Sequence, residues 1–183
     1  MPGTRTRGDR MVTRVGALAL AAGGVAWCVI RLLLLGEDPA TEPYEDLNRA
    51  WTVVLAVLAL GFLGMWPLLS MMQSRGVQVG LGVAVAGLST TAVGSGVEFW
   101  AGSDAGFQLF GLGLVLFLGG TAVLGVAAVR SGRLPRWLSL FLASSGLLAF
   151  LGSIAGVPTL PFGVGFGLGC AAVGSWLWNV RHI

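Results

Sequence analysis

Residues 107–137 read FQLFGLGLVLFLGGTAVLGVAAVRSGRLPRW. From Phe107 to Val129 no side chain is charged; Arg130, Arg133 and Arg136 follow in quick succession, and Trp137 opens a new apolar run. A helix over 107–129 is long enough to cross the roughly 30 Å hydrocarbon core of a bilayer. The arginines after it mark a short hydrophilic turn, so the next helix must run back antiparallel. This one stretch therefore predicts a membrane hairpin, and the rest of the chain repeats its pattern.

Five further segments qualify as spans, at 12–35, 50–72, 77–100, 137–156 and 160–180. The expected fold is all-α: a polytopic membrane helix bundle of six transmembrane helices, forming a single integral membrane domain over 1–183. Composition agrees. Of 183 residues, 55% are hydrophobic and 10% charged, against about 25% charged in soluble domains. The mean hydropathy is +0.85. The first segment follows a basic leader, but its apolar stretch from Val15 to Leu35 exceeds the 7–15 residues of a usual signal-peptide core, so it reads as a retained helix.

Orientation follows from the distribution of arginine. With the N-terminus cytoplasmic, Arg5, Arg7, Arg10, Arg14, Arg75, Arg130, Arg133, Arg136 and Arg181 lie inside, and only Arg31 and Arg49 outside. Both termini are then expected in the cytoplasm. The acids fall the other way: Glu37, Asp38, Glu42, Glu45, Asp46, Glu98 and Asp104 outside, Asp9 inside. The net charge of +3 reflects this inner-leaflet bias and requires no nucleic-acid partner. Trp51, Trp100, Trp137, Trp176 and Trp178 fall near span ends, where an aromatic belt is expected; Trp27 and Trp66 lie deeper, as packing or lipid-facing residues.

The absences restrict chemistry. All 11 basic residues are Arg, so no lysine is present for a Schiff base or a P-loop. His182 is the sole histidine, which excludes a bis-histidine haem, a multi-histidine metal site and a serine–histidine dyad within the membrane. Cys28 and Cys170 lie in apolar runs and read as small hydrophobes rather than a disulfide. The expectation is no catalytic residue, no cofactor, no resident metal and no enzyme activity. The all-arginine habit points to a high-GC genome, hence a prokaryotic plasma membrane.

Helices in lipid associate through close packing, so small residues mark contacts. Gly163, Gly165, Gly167 and Gly169 give the sixth segment two overlapping GxxxG pairs; Gly76, Gly80 and Ala84, with Gly82 and Ala86, do the same in the third, and Gly111, Gly113, Gly119, Gly120 and Gly125 populate the fourth. These suit packing within the bundle, or contact with other membrane helices in a homo- or hetero-oligomer. Pro67 should kink the second helix, because its ring clashes with the carbonyl four residues back. Phe62-Leu63-Gly64 before Arg75 matches Phe117-Leu118-Gly119 before Arg130, an offset that fits either a hairpin duplication or a restricted alphabet.

Three places are candidate sites. In the third segment, Thr91, Ser95 and Glu98 share a face with small residues, which suits either a polar path or hydroxyls bonded to their own helix. Arg31 lies short of the outer end of the first segment, where a charge needs water or a partner. With Glu98 at similar depth and Arg49 at the start of the second segment, it forms a candidate outer-rim polar site, either as an Arg31–Glu98 pair or as two separately hydrated charges. The acidic segment 36–48 suits solvation or a hard cation such as calcium, without EF-hand spacing. Gly94-Ser95-Gly96 lacks a general base, so a serine hydrolase is set aside.

Residues 110–152, a glycine-rich helix, then Arg130-Ser131-Gly132-Arg133-Leu134-Pro135-Arg136-Trp137, then a second apolar helix, resemble segments of small polytopic membrane proteins of unknown function from high-GC prokaryotes. The resemblance implies a membrane bundle and carries over no activity. Two functions fit the whole reading. One is a non-enzymatic accessory or assembly subunit of a membrane complex. The other is a small permease, or permease component, for a neutral or weakly polar solute.

Overall fold

The computed structural model describes residues 7–35, 37, 42–70, 74–132, 134–153 and 159–179. Arg5, Asp38, Arg133, Arg181 and His182 lie outside the described residues. Among the described residues seven α-helices follow one another: α1 (Arg7–Leu34), α2 (Glu42–Leu63), α3 (Trp66–Ser70), α4 (Arg75–Phe99), α5 (Ala105–Ser131), α6 (Arg136–Ser153) and α7 (Leu160–Asn179). With α2 and α3 counted as one span, six helices are long and apolar enough to cross a membrane, and no strand occurs among the described residues. The chain is a multi-pass membrane helix bundle. Helix is what the apolar runs must form, because lipid offers backbone N–H and C=O groups no other partner.

The helices pack in chain order: α1 on α2, α2 on α4, α4 on α5, α5 on α6, α6 on α7. The extensive α1–α7 contact then closes them into a ring of six. Aromatic side chains fill its middle. Trp27 meets Trp51 at 4.3 Å and Phe166 at 4.8 Å between ring centroids. Phe117 meets Phe166 at 5.9 Å and Phe62 at 5.3 Å, both nearly perpendicular, as the quadrupoles of aromatic rings favour. Trp27, Phe62, Phe117 and Phe166 are fully buried. Val53, Leu60, Val79, Val93, Val115, Leu140 and Leu168 face outward, as lipid contact allows.

The tightest joint is between α4 and α5. Gly80, Gly87 and Gly94 stand seven residues apart on one helix and oppose Gly120, Gly113 and Gly106 on the other. A Cβ at Gly80 would lie 2.9 Å from the carbonyl oxygen of Gly120, one at Gly87 2.8 Å from that of Gly113, and one at Gly94 2.8 Å from that of Gly106. Only a bare Cα permits backbones to approach so closely over three consecutive pairs. Thr91 and Ala84 continue the same seam. Close approaches at the other joints include Gly16 with Gly64, Gly24 with Gly167, Gly174 with Ala21, Gly125 with Ala143, Gly146 with Leu118, and Gly152 with Gly163.

Three details differ from, or refine, what the spacing predicts. The second span starts at Glu42 rather than residue 50, so much of the acidic segment 36–48 is helix. Glu42 and Glu45 in its first turn suit the positive end of the helix dipole, and Pro43 needs no N–H there. Trp51 consequently lies well inside the helix and is 4% exposed, so it belongs to the core and not to an interfacial belt. At Pro67 the helix breaks rather than merely bends. The ladder shortens to Met65 N–H donating to the Phe62 carbonyl at 3.0 Å, and α3 restarts at Trp66. Gly132, at φ 63°, ends α5 in the left-handed conformation before the arginine-bearing turn.

Candidate functional site

The ring is filled in the middle and open at one mouth. There a cavity of about 160 Å³ lies among α1, α2, α4, α5 and α6, with Arg31, Trp51, Ser95 and Glu98 on its walls. Tyr44, Asn48 and Ser153 add polar groups, and Leu34, Leu35, Phe99, Phe107 and Phe110 complete an apolar lining. The acidic ends of the helices surround it: Glu45, Asp46 and Asp104 belong to this end, while Arg10, Arg14, Arg75, Arg130 and Arg136 belong to the other.

Arg31 is 6% exposed, although it carries a charge. Its guanidinium lies over the Trp51 ring, 5.3 Å from the centroid, where the negative face of the indole attracts a cation. Gly163 makes the room. A Cβ there would stand 3.3 Å from Arg31 Nε and 3.5 Å from its Cγ, so α7 passes the arginine stem without a side chain in the way. Trp27 backs the other tryptophan, so α1 supplies both the charge and part of its support. The indole N–H groups of Trp27 and Trp51 are buried and find no acceptor among the described residues, a situation that costs about 1–3 kcal/mol for each buried donor left unsatisfied.

The α4 wall carries Ser95 and Glu98. The Thr52 hydroxyl donates to the Asn48 carbonyl at 3.2 Å, a turn back on its own helix. Thr52 and Ser95 also share a 2.7 Å hydroxyl–hydroxyl hydrogen bond in which either can donate, and Ser95 lines the cavity. Glu98 lies three residues on, along the same face, and half-exposed at the cavity. Its carboxylate takes part in none of the ion pairs among the described residues, which join Arg49 to Asp46 at 3.0 Å and to Glu45 at 3.4 Å.

Each expected site residue now has a place. Arg31 and Glu98 both line the mouth cavity, and no ion pair joins the two. Arg49 stands beside it: its Nε–H donates to the Phe99 carbonyl at 3.0 Å, which caps the C-terminal turn of α4 and ties it to α2. Thr91 is fully buried in the α4–α5 seam, its hydroxyl donating to the Gly87 carbonyl at 2.9 Å, so only Ser95 of the two hydroxyls reaches the cavity. On α7, Gly163 adjoins Arg31 and Gly152, Gly167 adjoins Gly24 and Cys28, Gly169 adjoins the Phe141 ring, and Gly165 faces open space. Among the described residues no three of His, Cys, Asp and Glu come together as metal ligands.

Trp51 is the site residue that sequence spacing misplaces, because the early start of α2 hides its depth. Gly163, picked out by its GxxxG spacing as a packing residue, also flanks Arg31, which spacing alone does not show. Comparison with protein families, curated proteins and solved structures gives no match.

Proposed function

We propose that the chain is a non-enzymatic accessory or assembly subunit of a membrane complex, set in a prokaryotic plasma membrane with both termini cytoplasmic. One observation carries the reading: the middle of the ring is occupied by packed side chains. The fully buried rings of Trp27, Phe62, Phe117 and Phe166 lie on its axis, and the Thr91 hydroxyl turns back onto its own helix. A solute crossing there would have to displace several large side chains at once. Gly82 on α4, Gly111 and Gly119 on α5, and Gly165 on α7 face outward with no neighbour within 4 Å of a built Cβ, and at such bare positions a partner helix can approach closely.

The second reading, a small permease or permease component for a neutral or weakly polar solute, has the open mouth in its favour. Osmotic swelling of proteoliposomes in glycerol and urea separates the two. The subunit reading expects rates equal to those of empty vesicles, and co-purification of a stoichiometric membrane partner in mild detergent. Swelling accelerated about tenfold or more would overturn it in favour of the permease.

A further inference from the structure

The exposed side of α1 carries a feature that neither functional reading uses. Arg10, Arg14, Leu18, Ala22, Val25 and Val29 follow one another at three- and four-residue steps, so they form one stripe along the helix. All six are exposed. Beyond the arginines the stripe becomes an open groove of about 660 Å³, lined among the described residues by apolar α1 side chains alone. Ala21, Ala22 and Ala26 are its low floor, and Leu18, Val25 and Val29 stand above them. From Leu18 to Val29 the helix rises about 16 Å, close to half of the roughly 30 Å hydrocarbon core. The groove is therefore as long as one leaflet is deep. That is the reach of an acyl chain, and it is too short for a partner helix lying along the whole span.

At its basic end the groove meets two guanidinium groups. That of Arg14 lies over the Trp178 ring of α7, 5.9 Å from the centroid. Such a contact engages the charge and not the in-plane N–H donors, so the fork remains for an oxyanion. Arg10 stands one turn nearer the helix start. Asp9 sits with the buried Thr13 on another face, its carbonyl accepting the Thr13 hydroxyl at 2.9 Å, so no acid lies on the stripe. We propose that the groove binds an anionic phospholipid from the leaflet at the basic end, its phosphate on Arg14 and Arg10 and one acyl chain along residues 18–29. Charge and length both argue for this occupant. Guanidinium groups pair strongly with phosphate, basic residues at a membrane surface favour anionic headgroups, and the groove leads from those residues straight into the hydrocarbon. Lipid binding here requires neither a partner subunit nor a path through the ring, so it stands apart from both functional readings.

Native mass spectrometry of the full-length protein in mild detergent, with stepwise addition of one lipid at a time, tests the proposal. The probes are dioleoyl-phosphatidylglycerol, dioleoyl-phosphatidylcholine and the short-chain dihexanoyl-phosphatidylglycerol. The first should bind at least about tenfold more tightly than either of the others. Equal binding of the two dioleoyl lipids would remove the arginines from the site, and equal binding of the two anionic lipids would remove the groove. Either result overturns the proposal without need of a variant. Arg10→Gln with Arg14→Gln should bring dioleoyl-phosphatidylglycerol down to the phosphatidylcholine level. Arg75→Gln with Arg130→Gln, at the same end on α4 and α5, should leave it unchanged. A loss as large from this second pair would show a diffuse attraction of the whole basic end and overturn the site. Ala22→Phe raises the groove floor at an exposed position, and should weaken the dioleoyl anionic lipid about tenfold while sparing the dihexanoyl one. Unchanged dioleoyl binding would place the acyl chain elsewhere and overturn the proposal. A dimer mass that Ala22→Phe abolishes would give the groove to a second copy of the chain instead.

Discussion

The middle of the bundle and its mouth are built from the same helices to opposite ends. In the middle, α4 and α5 meet through three glycine pairs, and the rings of α1, α2, α5 and α7 interlock behind them. At the mouth, little more than one turn beyond Thr91, α4 faces a cavity that holds Arg31 and Glu98. The difference lies in which residue types the helices carry at each level. Glycine and aromatic residues close space, the first by removing side chains and the second by filling what is left. At the mouth the charges are treated differently: Arg31 is covered by the Trp51 ring, whereas the Glu98 carboxylate stays half-exposed at the cavity, where its hydration is kept.

The contrast is upset most severely by emptying the middle. Phe117→Ala removes a ring that touches both Phe62 and Phe166. It should cost about 3–5 kcal/mol, the range for large-to-small core changes, visible as a much lower unfolding temperature in detergent. A neutral result would mean that the ring stack does not hold the bundle.

Next in size is the seam. Gly87→Ala places a methyl group against the Phe117 backbone and the Gly113 carbonyl, where only movement of a whole helix relieves the overlap. A loss of about 1–3 kcal/mol is expected. Gly82→Ala is its internal control: the same change on the same helix into open space, with the better helix propensity of Ala giving a gain of up to about 1 kcal/mol. Equal responses from the two would show that the α4–α5 seam is not where the structure has it.

Smaller effects belong to the mouth. Arg49→Gln removes the donor to the Phe99 carbonyl and both exposed ion pairs. Exposed pairs contribute little, and a cation at a helix C-terminus about 0.3–1 kcal/mol. A loss within that range, with a somewhat less ordered end of α4 by hydrogen exchange, is expected; a loss as large as that of Phe117→Ala would place Arg49 in the core of the fold.

Much of this architecture is legible in the residues alone. The six spans follow from apolar runs bounded by charges, and the basic and acidic ends from the placement of arginine. The start of α2 is not, because Glu42, Glu45, Asp46 and Arg49 look like a solvated loop when the first turns of a helix favour just those acids. Trp51 is misplaced for the same reason. In the seam, the four-residue spacing of Gly76, Gly80 and Ala84 catches the eye, whereas the pairing itself uses seven-residue steps. That pattern is present in both helices, Gly80-Gly87-Gly94 and Gly106-Gly113-Gly120, and two matching seven-step series on successive spans are a signal for an antiparallel glycine joint. The level of Arg31 and Glu98 along their helices is legible too; that both line one cavity depends on how each helix is rotated, which side-chain packing across the ring decides.

The closed middle below an open mouth is tested most directly by cysteine accessibility in sealed vesicles. Single cysteines replace Glu98, Thr91 and Ser131 in a protein lacking Cys28 and Cys170, and a charged, membrane-impermeant thiol reagent is applied from each side in turn. Position 98 should react only from the acidic side, position 131 only from the basic side, and position 91 from neither. Reaction at position 91 from either side, in protein that retains its unfolding temperature, would show a water path through the ring and contradict the closed middle.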